Sequence, residues 1–144
     1  MKTIAVDPGA VHIGIAISDE NGTIARPLAI VQHVSRQEDA RKIITLALEN
    51  GCEIIVVGVP LDSQGNIGPR ARTSIRLIQA IKELTDLPVK PWDESGSSKQ
   101  VESAQTAMKL SKKRRARPKD DQAAAVILAD YLESIISENA INHE

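Results

Sequence analysis

Residues 4–30 read IAVDPGAVHIGIAISDENGTIARPLAI, and the fold is decided in this stretch. Ile4-Ala5-Val6 is a short apolar run halted at Asp7-Pro8-Gly9, the pattern of a buried strand that ends in a turn. Ile13, Ile15 and Ile17 then alternate with Gly14, Ala16 and Ser18, which is the period of two of a second strand. Asn21-Gly22 tolerates positive φ and marks a hairpin. Ile24, Leu28 and Ile30 continue as a third strand, and Pro27, which has no N–H to give a neighbour, places that strand at a sheet edge. The opening is therefore an antiparallel three-strand meander.

Beyond residue 31 the period changes. Ser35 and Glu38 form a capping box, and Ala40, Ile43, Ile44, Ala47 and Leu48 recur at helical spacing until Gly51. Residues 53–59 (EIIVVGV) are a continuous β-branched run, as expected of a central parallel strand covered on both faces. Pro69 opens a helix with the stripe Ala71, Ile75, Ile78, Ile81 and Leu84. Leu87 to Trp92 is a short strand, placed at an edge by its two prolines. Ser97 and Gln100 cap a weaker helix with Val101, Ala104 and Met108. A last helix runs from about Asp120 to Ser137. Three antiparallel strands followed by βα crossovers predict an α/β fold of RNase H-like outline: a mixed five-stranded sheet, β4 and β5 parallel to β1, with helices on both faces. Residues 1–138 form one domain in this reading, and 139–144 a flexible tail.

Composition narrows the function. The chain has 144 residues, 42% hydrophobic and 26% charged, which suits one globular domain. No apolar run approaches a membrane span, and Asp7 interrupts the opening too early for a signal-peptide core. The single cysteine, Cys52, can neither pair nor supply a CxxC metal site, and it reads as core; the expected compartment is the cytoplasm. One Trp and one Tyr without any Phe exclude a base-stacking platform. His12, His33 and His143 show no ligand spacing. The net charge of −1 hides a block at 109–119 with seven Lys/Arg and no acid, followed by six acids and no Lys/Arg in 120–144. Such a block suits phosphate contact as well as a solvated loop.

Three acidic positions stand out. Asp7 ends the first strand, Asp93-Glu94 ends the fifth, and Asp120-Asp121 opens the last helix. Asp120 shares a helix face with Ala124, Ile127, Leu128, Tyr131 and Ile135, whereas Asp121 lies 100° further round and shares part of it. Each acid alone could be a turn residue or a helix-start acid. Together they repel unless a cation compensates, and hard oxygen ligands suit Mg²⁺ or Mn²⁺ in a two-metal phosphodiester site. Gly65-Asn66-Ile67-Gly68 could hold a phosphate on backbone N–H groups, or be a plain loop.

Asp7-Pro8-Gly9 through Gly14-Ile15-Ala16-Ile17-Ser18-Asp19 resembles the opening motif of the YqgF/RuvX family, RNase H-like relatives of the RuvC resolvases. Val57-Gly58-Val59-Pro60-Leu61 with Gly65 and Gly68-Pro69-Arg70-Ala71 is similar to its second motif, and Trp92-Asp93-Glu94 to its third. Lys112-Lys113-Arg114, then Asp120 with Ala123-Ala124, resemble its basic loop and final helix. The resemblance implies a metal-dependent nuclease for the 5′ end of pre-16S ribosomal RNA, with Asp7, Glu94 and Asp120 as catalytic and metal-binding carboxylates. Junction resolution and a non-catalytic RNA-binding or ribosome-assembly module are the alternatives. The expected partner is pre-rRNA or branched DNA held by its phosphate backbone, through Lys112, Lys113, Arg114, Arg115, Arg117 and Lys119 with Arg70 and Arg72, on a monomer or weak homodimer. The chain departs from the family pattern at Ser95-Gly96-Ser97-Ser98 (usually Arg-Leu-Thr-Thr) and at His12 (usually Lys or Arg). It also has Ala123 where RuvC-type enzymes carry a fourth acid, so Asp121 is the only substitute ligand at hand.

Overall fold

The computed structural model describes residues 1–94 and 120–142, and in the last helix the side chains of 122–138. Its elements are β1 (Thr3–Asp7), β2 (His12–Ser18), β3 (Ala25–Gln32), α1 (Arg36–Glu49), β4 (Ile54–Val59), α2 (Pro69–Leu84), β5 (Val89–Asp93) and α3 (Asp120–Asn142). The strands form one sheet in the order β3-β2-β1-β4-β5, with β1–β2 and β2–β3 antiparallel and β1–β4 and β4–β5 parallel. This is the expected mixed sheet, and both proline-bearing strands lie at its edges. Pro27 follows a register shift between Ile15 and Ala16, where a missing N–H does no harm.

Alternation assigns the two faces. Ile4, Val6, Ile13, Ile15, Ile17, Ile55 and Val57 join one core with residues of α1 and α2. Ala5, Ala16, Ile54 and Val56 join a second core with Ala124, Ile127, Leu128, Tyr131 and Leu132 of α3. Small residues on the second face let α3 lie close to the sheet. Truncating a fully buried residue such as Ile55 or Leu128 to alanine costs about 2–5 kcal/mol.

Several local expectations change. Only Gly22 takes positive φ in the β2–β3 connection, so it is not a two-residue Asn-Gly turn. Instead the Asp19 carboxylate accepts from Thr23 N (2.7 Å), Thr23 Oγ1 (2.8 Å) and Ile24 N (3.0 Å) and organises a longer loop. Those bonds, that of Ile24 foremost, hold its pKa down at about 2. Ile24 is accordingly exposed and outside β3. In α2, Ser74 and Leu77 are buried while Leu84 is exposed, because the last turn overhangs the core. Leu48 is likewise exposed near the end of α1. Ser35 caps α1 as expected, accepting from Glu38 N at 3.2 Å. Cys52 is buried, and desolvation pushes its thiol pKa up, as suits a core residue. Helix α3 continues past Ser137 to Asn142, through part of the segment expected to be a tail. Among the described residues no helix is long and apolar enough to cross a membrane. The expected helix over Val101–Met108 and the basic block of 109–119 lie outside the described residues.

Candidate active site

Because β1, β4 and β5 run parallel, their carboxyl ends share one edge of the sheet. The chain leaves β1 toward β2 on one side and returns to β4 on the other, so the crevice between β1 and β4 is a topological switch point, where open α/β sheets bind ligands. Asp7 ends β1 and pairs with Gly14; its parity is that of Ala5, so it faces α3. Glu94 lies one residue beyond β5, and its N–H donates to the Val59 carbonyl at 3.2 Å, which anchors it to the end of β4. Its parity matches Trp92, whereas Asp93 belongs to the opposite face.

The Glu94 carboxylate crosses Gly58. A Cβ at that glycine would lie 2.4 Å from Glu94 Oε1 and 2.7 Å from Ile127 Cδ1. Gly58 is thus an empty place in β4 over which the acid from β5 and the α3 side chain meet, and a glycine inside an otherwise β-branched run is the sequence signal for such an approach. Gly9 has a comparable role in the turn after Asp7, where a Cβ would stand 2.2 Å from the His12 carbonyl oxygen.

The Asp7 and Glu94 side chains are hydrogen-bonded to each other. A bond between two carboxyl groups needs a proton on one of them. Burial foremost, then the charge of Asp7 and the bond to it, raise the Glu94 pKa from 4.5 to about 7, against an opposing pull from Arg70. Arg70, in the first turn of α2, is the sequence-named cation that faces this pair. Arg72 is exposed about 200° further round the helix and lies elsewhere.

A raised carboxyl pKa has a stability consequence. The folded protein holds a proton that the unfolded chain releases near the ordinary glutamate value, so the stabilisation is present at acid pH and lost as pH rises through about 7. In EDTA, the melting temperature should fall across that interval, and Glu94→Gln should flatten the fall; thermal melts at a series of pH values check it.

The remaining acid expected from the sequence, Asp120, opens α3. Ile127 meets the Gly58 position, and Leu132 Cδ2 lies 3.7 Å from where a Cβ of Gly22 would be, at the opposite end of the sheet. The helix therefore runs antiparallel to β1, and its first residue, Asp120, stands two turns (about 10 Å) before Ile127, toward the edge that carries Asp7 and Glu94. The Asp120 and Asp121 side chains lie outside the described residues, as do Lys112, Lys113, Arg114, Arg115, Arg117 and Lys119. Among the described residues no three His, Cys, Asp or Glu gather around one ion position.

In the loop before α2, Asp62 Oδ1 takes the N–H groups of Gln64 (2.9 Å) and Asn66 (2.7 Å), and Gly65 N donates to the Asp62 carbonyl, so the Gly65 and Asn66 donors of the Gly65–Gly68 stretch are used within the loop. Trp92 packs edge-on against Tyr131 with ring centroids 5.6 Å apart, a packing role. His33 pairs with the buried Asp39 at the start of α1, a contact its sequence spacing did not suggest.

A family model described as "RuvX: Holliday junction resolvase" matches residues 1–134. This chain belongs to the RuvX family. A relative from Desulforudis audaxviator (strain MP104C), carrying the name "Putative pre-16S rRNA nuclease", is 33% identical over 134 residues, covering 93% of this chain and 95% of the relative. One of the same name from Geobacillus kaustophilus (strain HTA426) is 37% identical over 136 residues, 93% and 99% of the two chains. Among solved structures, T. thermophilus RuvC in complex with Holliday junction substrate superposes with a TM-score of 0.60 at 18% identity, over 94% of this chain and 96% of that one. At that identity the likeness establishes the fold, and it agrees with the RNase H-like outline of this RuvX chain.

Proposed function

We propose that this RuvX protein is a metal-dependent nuclease that hydrolyses phosphodiester bonds of structured RNA precursors, with the 5′ end of pre-16S ribosomal RNA as its substrate and Asp7, Glu94 and Asp120 as its carboxylates. The observation that carries this is the Asp7–Glu94 pair: two acids from different strands, brought together and hydrogen-bonded in a crevice at the carboxyl edge, with Glu94 lying over Gly58. Such a pair is a costly way to build a core and an apt way to hold a hard cation, which can take the place of the proton. Asp7, Glu94 and Asp120 would hold Mg²⁺ or Mn²⁺. When bound, the metal supplies charge compensation at the phosphate and a water of lowered pKa.

The chain's own groups do the positioning. Gly58 lets the Glu94 carboxylate lie flat against β4. The bond to Asp7 fixes its orientation, and Arg70 offers a guanidinium to an incoming phosphate beside them. Pre-rRNA as substrate draws support from the names of the relatives at 33% and 37% identity. Four-way junction cleavage is a second reading, favoured by the family's description.

Purified protein with labelled pre-16S rRNA, single-stranded RNA and a four-way DNA junction, in Mn²⁺ and in EDTA, distinguishes the readings. Cleavage of the rRNA precursor in Mn²⁺ and none in EDTA is expected. Binding without cleavage under every condition overturns the nuclease in favour of a non-catalytic RNA-binding module.

The basic block leads directly into Asp120, so it should lie near the substrate backbone. Replacing Lys113, Arg114 and Arg115 with alanine should weaken binding at low salt. Each contact carries a slope of roughly 0.7 in log K against log salt for a single strand, so the triple variant should flatten the slope by about two units. A salt titration that overlays the wild type removes the block from the interface.

A further inference from the structure

Behind the Asp7-Pro8-Gly9 turn, on the face of the sheet away from α3, a cavity of about 460 Å³ opens between α1 and α2. Pro8, Ile13, Pro60 and Leu77 give it apolar walls, and Arg36, Arg70 and Asp39 are the charged residues of its lining. Ile13 and Leu77 belong to the α1/α2 core, so the cavity reaches inward to the packed centre of the molecule. Its size is that of a small-ligand site, about 300–1,000 Å³.

We infer that this cavity takes one unpaired nucleotide of the substrate strand, its base against Ile13, Pro60 and Leu77 and its phosphate between Arg36 and Arg70. The inference rests on the nuclease reading above and adds where a neighbouring nucleotide is gripped. Three observations support it. The first is continuity: the Asp7–Gly9 turn separates the cavity from the carboxylates, and Arg70 both lines the cavity and acts on Glu94.

The second is composition. The chain has one Trp and one Tyr, and both sit on the α3 side of the sheet. Purchase on a base therefore has to come from aliphatic and proline surfaces and from guanidinium planes, on which unstacked bases also rest. The third is the state of the acid in the wall. Asp39 is 2% exposed, accepts from Val34 N at 3.0 Å and pairs with His33, so its oxygens are engaged away from an entering anion. A base held in a duplex cannot enter such a cavity, so the site selects for a strand that is locally single at the cut.

The test uses the full chain, ¹⁵N-labelled, titrated with a 5′-nucleoside monophosphate, the corresponding nucleoside and inorganic phosphate, each alone. The monophosphate should shift the amides of Ile13, Thr73 and Leu77 at lower concentration than either fragment. Arg36→Ala removes a cation, and Thr73→Trp fills the mouth from an exposed helix position. Each should weaken the monophosphate about tenfold, the value of one charge-assisted contact, with the amide spectrum elsewhere unchanged. Inorganic phosphate acting as strongly as the nucleotide reduces the cavity to an anion site and overturns the inference. So do shifts confined to α3, or variants that bind like wild type. RNA cleavage measured on the same samples separates the two claims. Cleavage with no nucleotide effect at the cavity sinks this inference alone. A nucleotide bound in the cavity of a protein that cleaves nothing supports the cavity and sinks the nuclease.

Discussion

Glu94→Gln should lower the cleavage rate by on the order of 10²- to 10⁴-fold and leave RNA retention near the wild-type level. The substitution preserves shape, so Gly58 still accommodates the side chain. What it removes is the charge that the carboxylate presents when its proton is displaced, and with it a hard oxygen donor to the cation. On the proposed reading, RNA is held by phosphate contacts of Arg70 and the basic block, which the change leaves in place, so the expected loss falls on the transition state. Asp7→Asn should behave alike, and the double variant should cost little more than either single one, because the two carboxyls act as a unit. Single-turnover cleavage in Mn²⁺ beside filter binding at the same salt measures both quantities. Equal losses in binding and cleavage would make Glu94 a structural acid and not a catalytic one.

Gly58→Ala separates stability from activity. The added methyl would stand 2.4 Å from Glu94 Oε1 and 2.7 Å from Ile127 Cδ1, each the far end of a flexible side chain. Both can swing aside, so the stability cost belongs at the low end of overpacking, about 1 kcal/mol. The carboxylate must retreat by about 1 Å to regain an ordinary contact of 3.4 Å, and a misplacement of that size costs on the order of 100-fold in rate. Gly51→Ala is the control. Gly51 holds a φ of +68° with nothing within 4 Å of a new Cβ, so alanine there strains the backbone and costs comparable stability far from the carboxylates. Thermal melts should show two similar small losses, while kcat collapses only for Gly58→Ala. A Gly58→Ala protein with wild-type kcat would mean that the Glu94 position does not govern the chemistry.

Much of this architecture is local and hence legible in sequence. The alternation of Ile13, Ile15 and Ile17 fixes which side of β2 is core. The β-branched run before Val59 fixes a strand covered on both faces, and Pro27 and Pro91 cannot supply ladder donors, which sends β3 and β5 to the edges. Asp7 at a strand end and the Asp120-Asp121 pair at a helix start are likewise visible, although periodicity leaves both members of that pair on or near the buried stripe and only the family resemblance prefers Asp120. The α2 stripe was legible only in part. Leu84 belongs to it by spacing, but α2 outruns the sheet there, and Leu77 and Ser74 are buried because α1 approaches from that side.

Tertiary structure decided the remainder. The family resemblance names Glu94 and not Asp93, and the parity of β5 beside β4 gives the physical reason, since Glu94 shares the face of Trp92 toward α3. Asp7 and Glu94 meet because the crossovers bring residues 87 positions apart to adjacent places in a partly buried crevice, where burial and the charge of Asp7 raise the Glu94 pKa. The same crossovers bring Arg36 and Arg70 to one cavity behind the Asp7–Gly9 turn. Sequence by itself determined the alternation, the strand ends and the acids placed there. Their distances and charges were left to the packing of strands and helices, because electrostatic coupling depends on separation in space and on the water excluded between groups, neither of which is a property of neighbouring residues.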